Sequence, residues 1–430
     1  MLDTRTLKVD ALARVEGEGA MTIEVRDERV DTVRLDIYEP PRFFEAFLRG
    51  RSYLEPPDIT ARICGICPVA YQVSACNALE DALGLEVDTS VRELRRLLYC
   101  GEWIQSHALH VYLLHAPDFL GYQGAVEMAR DHPDAVKRGL HLKKVGNQLM
   151  EAVGGRAVHP INVRVGGFYR APSRADLLAL REPLQRALDA ALETVRWVGG
   201  FDMPELVQEH PFVALHTPER YAIEDGRLVS STGLDLPARE YETHFVEHQV
   251  EHSTALHAAM DGQRYLVGPQ ARYTLNYDQL SDLARDAATA AGLGPECRNP
   301  YQSIVVRSVE LVYAAEEAIR LIDRYEPPTR PYLEAEPRRA RGHGWSEAPR
   351  GLLYHRYDLS EDGLVEGCTI VPPTSQNQAS VEDDLRRFAQ AHLHLGDEEL
   401  QWRCEQAIRN YDPCISCSTH FLTLNVDRKG

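Results

Sequence analysis

Apolar positions recur with a helical period along most of this chain. Leu94, Leu97, Leu98, Ile104, Ala108 and Val111 form one stripe, and Leu142, Val145, Leu149 and Ala152 a second. Val305, Val309, Val312, Ala315, Ile319 and Ile322 form a third. The second stripe stops at Gly154-Gly155, a C-terminal helix signal. Ser173 and Ser380 each precede a helical pattern with Asp three residues later, the spacing of a capping box. The first forty residues follow a different period. Residues 20–25 and 30–37 alternate apolar and polar positions around the charged turn Arg26-Asp27-Glu28-Arg29, which predicts paired antiparallel strands. Residues 325–349 are rich in Pro, Arg, Gly and Glu and read as a surface loop or lid, with irregular chain across 340–378.

The pattern predicts an α+β, predominantly α-helical fold: a central helical bundle, a small N-terminal antiparallel sheet, and irregular segments near the C-terminus. It is read as a single domain over residues 1–430. Within it lie a strand-rich part (1–60), a helical core (61–325), a loop and strand segment (326–378), C-terminal helices with a cysteine motif (379–420) and a tail (421–430).

Composition narrows the function. Hydrophobic residues make up 44% of the 430 and aromatics 8%, enough for a soluble globule with a substantial core. A formal charge of −18 excludes nucleic acid, which requires a basic face to neutralise phosphates. No apolar run is long enough to span a bilayer. The start, Met-Leu-Asp-Thr-Arg-Thr-Leu-Lys, has neither an apolar export core nor twin arginines, so a cytoplasmic location is expected. Nine cysteines scattered along a long chain do not read as a disulfide framework.

Two of the cysteine spacings carry chemistry. Arg62-Ile63-Cys64-Gly65-Ile66-Cys67-Pro68 and Asp412-Pro413-Cys414-Ile415-Ser416-Cys417 are C-x-x-C pairs, a spacing that lets two sulfurs chelate one metal. Pro68 opens a helical pattern through Val69, Val73, Cys76, Leu79 and Leu83, which puts Cys67 at a helix N-terminus, where a thiolate is favoured. Pro413 forces Asp412 out of helical geometry and ends the helix through residues 402–410. Spacing alone leaves three readings open: a structural zinc site, a dithiol redox motif, and a catalytic soft-metal site. Zinc ribbons place their pairs far closer together than these.

Further motifs lie in order along the chain: Arg14-Val15-Glu16-Gly17, Pro41-Arg42-Phe43-Phe44-Glu45, Ser106-His107-Ala108-Leu109-His110-Val111-Tyr112, Gly154-Gly155-Arg156 with His159-Pro160, and Glu347-Ala348-Pro349-Arg350-Gly351. With the two cysteine pairs and His420, they make the chain resemble, essentially end to end, the large subunit of nickel–iron hydrogenases. The likeness is nearest to the cytoplasmic, bidirectional, pyridine-nucleotide-linked type that includes the sulfhydrogenases.

That resemblance implies reversible heterolytic cleavage of hydrogen at a nickel bound by Cys64, Cys67, Cys414 and Cys417. Cys67 and Cys417 would bridge to an iron carrying carbon monoxide and cyanide. Arg350 matches an arginine suspended over the open site, with Asp118 and Asp412 matching the acidic residues that hold it. Pro373 and Thr374 occupy the position facing the cyanide, although Ser375-Gln376 departs from the residues relatives often carry. Glu16 matches the glutamate that takes the proton from a nickel cysteine, and Glu45 and His420 match ligands of a magnesium ion or its substitute.

Cys76, Cys100, Cys297, Cys368 and Cys404 read as buried hydrophobes, so iron–sulfur clusters and flavin are expected only in partners. Those partners would be an iron–sulfur small subunit together with flavin/NAD(P)-binding and ferredoxin-like subunits. His107, His110 and His115 read as packing or partner-facing residues. The tail 421–430 would be removed by a maturation endopeptidase that cuts after His420. Two alternatives remain: a metal-free scaffold or quinone-site relative, and a zinc-stabilised structural subunit.

Overall fold

The computed structural model of the chain describes residues 4–419. Three N-terminal strands, β1 (Thr4–Val9), β2 (Gly19–Arg26) and β3 (Arg29–Ile37), form an antiparallel sheet in that order. Leu7 pairs with Ile23, and Met21 with Leu35, so one apolar face is buried. The β2–β3 turn places Asp27 and Glu28 at positive φ, which matches the twist of a tight hairpin.

Four long helices follow: α1 (Pro68–Leu83), α2 (Thr89–Leu109), α3 (Pro133–Gly154) and α4 (Arg181–Gly199). A short hairpin of β4 (Phe245–His248) and β5 (His257–Met260) precedes α5 (Ser303–Arg324). Then come β6 (Ala340–Ala348), β7 (Gly351–Leu359) and β8 (Val365–Val371), and finally α6 (Pro373–Ala391) and α7 (Asp397–Arg409). In the bundle α2 packs between α3 and α5, and α4 lies against α5. The predicted apolar stripes are the buried faces of α2, α3 and α5. α2 runs on into a π-helical turn, His110–His115.

Three expectations are corrected. Residues 340–371 are not irregular; they form the antiparallel sheet β6-β7-β8, laid on α1. The glycines that read as loop signals are there because strand and helix backbones nearly touch. A Cβ on Gly342 would lie 2.0 Å from the Ala78 carbonyl oxygen, and one on Gly344 2.2 Å from the Ala78 nitrogen. Ser380 caps nothing: α6 already starts at Pro373, and Ser380 Oγ donates to the Tyr265 carbonyl from mid-helix. The Ser173–Asp176 capping box does form. Lastly, the strand-rich N-terminal part gives way to short helices at Phe44–Leu48 and Pro56–Thr60, and strands between Val213 and Met260 interrupt the helical core.

Periodicity also could not reveal that the bundle is cross-linked by buried charge. Arg95 pairs with Glu80 through two hydrogen bonds of 2.6 and 2.8 Å. Arg96 bridges Glu317 at 2.5 Å and Glu224 at 2.7 Å. Such pairs strongly destabilise a fold when one partner is lost.

The α1–β6 contact gives a direct test. Gly344→Ala is expected to destabilise the chain by about 3 kcal/mol, because neither backbone can yield. Gly294→Ala, with open space around it, is expected to be nearly neutral. Thermal unfolding of both variants decides it: equal behaviour contradicts the packing account.

Candidate metal centre

Each cysteine pair sits on backbone that cannot continue a helix. Cys64 follows a single turn, Ala61–Ile63, in extended conformation, and Cys67 is the N-cap residue of α1 with Pro68 in its first turn. At the other end Asp412 takes φ +52 before Pro413, Cys414 turns the chain back, and Cys417 lies on the one-turn helix Ile415–Ser418. The Ile415 amide donates to the Glu16 carbonyl at 2.9 Å, which ties this second turn to the chain's start. The four sulfurs are buried and lie within 4.8 Å of one another. Cys64 Sγ is 3.4 Å from Cys414 Sγ, and Cys67 Sγ 3.7 Å from Cys417 Sγ; no disulfide joins any of them.

Their protonation is mutually constrained. Burial pushes the Cys414 and Cys417 thiols up, and Cys67 moves up as well, whereas hydrogen bonding from Cys414 holds Cys64 well down. Glu16 reaches into this group: its Oε2 accepts from Cys414 Sγ at 3.2 Å and from the Ser416 amide at 3.0 Å. Burial first, and Cys64 second, raise its carboxyl above the usual range. Glu18, by contrast, is exposed.

Arg350 stands at the β6–β7 turn, buried. Its Nε donates to the Asp412 carbonyl at 2.9 Å and its Nη2 to Asp412 Oδ1 at 3.1 Å. Its Nη1 is buried with no hydrogen-bond partner. Burial works against its charge, but Asp412 and the thiols of Cys414, Cys67 and Cys64 outweigh it and raise its pKa well above the ordinary value.

The turn itself is held by Arg272, which sequence reasoning missed. Arg272 donates to the Ala348 carbonyl at 2.6 Å and the Pro349 carbonyl at 2.9 Å, and pairs with Glu310 at 2.9 Å and Glu347 at 3.1 Å. Its guanidinium lies 4.5 Å from the Trp103 ring centroid. Nothing in the local sequence around Arg272 signals this role, because all its partners are remote.

Pro373 opens α6, and Thr374 Oγ1 accepts the Cys414 amide at 3.0 Å. Gln376, in the Ser375-Gln376 step expected to depart from relatives, and Asn377 beside it brace α6 against the Leu352 carbonyl and both backbone groups of Val267. One further expectation is corrected. Asp118 does not hold Arg350. It lies on the short helix Ala116–Leu120, facing α7, and pairs with Arg409 at 2.7 and 2.9 Å and with Arg14 at 2.5 Å.

Of the two roles expected for His107, His110 and His115, packing is the one seen: all three are buried, beside Glu310, the Arg409 carbonyl and Asn410 respectively. Glu45 is half-buried, and its Oε1 accepts the Ile370 amide at 2.8 Å. His420, its expected partner, and the tail 421–430 lie outside the described residues.

Four convergent, buried cysteine sulfurs can chelate a cation, which would draw off their protons, and sulfur ligands suit soft or borderline metals such as nickel and iron. A closed structural zinc site needs no buried guanidinium with a donor left over; Arg350 Nη1 supplies one. Fold and site together therefore define a thiolate-ligated metalloenzyme.

Comparison with known proteins gives the family. The profile of the nickel-dependent hydrogenases matches residues 42–138 and 240–420. Sulfhydrogenase 1 subunit alpha of Pyrococcus furiosus is 34% identical over 423 residues, covering 97% of this chain and 98% of that one. The beta subunit of the NAD-reducing hydrogenase HoxS of Cupriavidus necator is 27% identical, covering 97% and 95%. The crystal structure of an NAD+-reducing NiFe-hydrogenase in the H2-reduced state superposes with a TM-score of 0.86 at 28% identity, covering 97% and 99%. The chain belongs to the nickel-dependent hydrogenase family, as the large subunit. Among the described residues, no helix is long and apolar enough to cross a membrane.

The placement of Asp118 generates a prediction. Asp118→Ala strands two guanidinium groups, Arg14 and the fully buried Arg409, and is expected to cost about 3 to 5 kcal/mol. Thermal unfolding should show a clear fall in midpoint. An unchanged midpoint would mean the triad carries no stability.

Proposed function

We propose that this subunit splits and forms hydrogen at a nickel–iron pair that Cys64, Cys67, Cys414 and Cys417 would hold, with Cys67 and Cys417 expected from the family to be shared between the two metals. The observation that carries the reading is the 3.2 Å contact between Cys414 Sγ and Glu16 Oε2, a proton acceptor in place beside a ligand thiolate. When bound, the metal pair supplies the Lewis acidity and the electron acceptor that heterolysis of so weak an acid requires. Arg350 keeps its proton, since its pKa is raised, and acts as a fixed positive charge rather than as a base. Asp412 holds that charge in register with the cysteines.

The Cys414 sulfur then takes the proton, and Glu16, whose carboxyl is raised by burial, receives it and passes it outward. Thr374 accepts the Cys414 amide, so its hydroxyl proton would be free to serve a cyanide ligand of the metal centre, with Pro373 closing the same wall. Asp118 serves the second cysteine motif indirectly, by anchoring α7.

Further parts of the reading rest on the family. Glu45 and His420 hold a magnesium ion or a substitute. Electrons leave through an iron–sulfur small subunit and flavin-bearing and ferredoxin-like partners to NADP or NAD, in the cytoplasm. Likeness to an NAD-reducing hydrogenase and to sulfhydrogenase alpha subunits supports this acceptor class. An endopeptidase that cuts after His420 completes maturation.

Glu16→Gln tests the core of this account. The amide keeps the shape but cannot relay a proton, so hydrogen–deuterium exchange should fall about 100-fold or more with nickel retained. Near-normal exchange in a nickel-loaded variant would remove Glu16 from the path.

A further inference from the structure

Away from the thiolates, a run of histidines remains that the hydrogen chemistry does not use. His248 and His257 face each other in register across the β4–β5 hairpin, and His252 lies on its turn. The His257 ring stands 5.7 Å from that of His252 and 6.0 Å from that of His248, centroid to centroid. Under the hairpin runs α6, whose Glu382 accepts from His252 Nε2 at 2.8 Å and from the Leu35 amide of β3 at 2.9 Å.

The ligand atoms of His252, His257 and Glu382 all lie within 4.8 Å of one another. His257 is only 3% exposed, and its Nε2 is buried with no hydrogen-bond partner. A histidine–glutamate hydrogen bond accounts for His252 and Glu382 but leaves that nitrogen unexplained, and buried polar atoms are rarely left so.

We propose that His252, His257 and Glu382 form a second metal site, separate from the catalytic centre, for a divalent transition ion of the zinc class. Two imidazoles and one carboxylate within a few ångströms suit zinc, cobalt or nickel, and are too nitrogen-rich for magnesium or calcium. Burial, with His252 and His248 behind it, pushes the His257 pKa down to about 3, so its ring stays neutral and able to donate a lone pair. The metal would displace the proton now shared by His252 and Glu382.

Other charge nearby is already matched: Arg264 pairs with Asp383 at 3.0 Å, and Arg387 with Asp383 at 3.4 Å. An open groove of about 680 Å³, lined in part by His248, His257 and Glu382, gives the ion a way in.

The site would join three elements: the β4–β5 turn, the N-terminal sheet through Leu35, and α6. α6 carries Thr374 at its start, against Cys414. A metal there would therefore fix the helix that supports one wall of the catalytic pocket, without touching the reacting atoms.

The test is zinc binding to the assembled, nickel-loaded enzyme, measured by equilibrium dialysis and by thermal unfolding, with His252→Ala beside the native protein. His252 is partly exposed on a turn, so the variant is expected to fold and to keep its hydrogen activity when no zinc is added. The native enzyme should bind one zinc more per chain than the variant, and its unfolding midpoint should rise with zinc. In the variant that site should weaken on the order of tenfold or more. Glu382→Gln should lose the same zinc. Equal stoichiometry and affinity in native and variant proteins would overturn the proposal, as would a zinc-induced midpoint shift that survives both substitutions.

Discussion

Four thiols confined in one buried pocket repel one another as soon as they ionise, and much of the surrounding structure answers that constraint. Burial raises the Cys414 and Cys417 thiols, while hydrogen bonds within the group, helped by the Arg350 charge, hold Cys64 down. A pocket of this kind is stable with its sulfurs ionised only if positive charge is built into it. The protein contributes a fixed cation, Arg350, and leaves the rest to metal. Placing that cation is costly, so the β6–β7 turn is nailed down by Arg272, which is itself neutralised by Glu310 and Glu347 and covered by Trp103. The pocket is thus the centre of a buried charge network rather than a cleft with ligands at its rim.

The same constraint explains the chain's path. The two cysteine turns are 350 residues apart in sequence, yet their sulfurs meet. One turn starts the bundle at α1; the other ends α7. The N-terminal segment closes the gap, with Glu16 bonded to the second turn by backbone and side chain alike. Glu16 is therefore both a structural clasp and a carboxylate in direct contact with a cysteine sulfur of the pocket. That double duty links fold to proton transfer: the group that fastens the metal turn is the group placed to carry its proton.

Periodic features were legible in the sequence. The stripes on α2, α3 and α5, the N-terminal hairpin and the start of α1 at Pro68 all follow from local pattern and from proline's fixed geometry. The spacing of the two cysteine pairs marked them as chemical but left zinc, dithiol and soft-metal readings open, and the nickel–iron assignment came from resemblance. What pattern hid was long-range. Gly342 and Gly344 read as loop because composition cannot distinguish a flexible turn from a strand pressed onto a helix backbone. Asp118 was matched to Arg350 by motif position, but its helix faces α7 instead. Arg272 escaped notice because every group it holds lies at least 38 residues away. Hydrophobic pattern reports which face is buried; it does not report which buried charge finds which partner.

The account's central claim is that the thiolate pocket holds a nickel–iron pair, and metal content with infrared spectroscopy tests it most directly. On the purified, assembled enzyme, elemental analysis should give one nickel per copy of this chain. The infrared spectrum should show bands of metal-bound carbon monoxide and cyanide, and both signals should vanish in Cys414→Ser. Zinc in place of nickel, with no such bands from the native enzyme, would contradict the account and leave the four cysteines as a structural site.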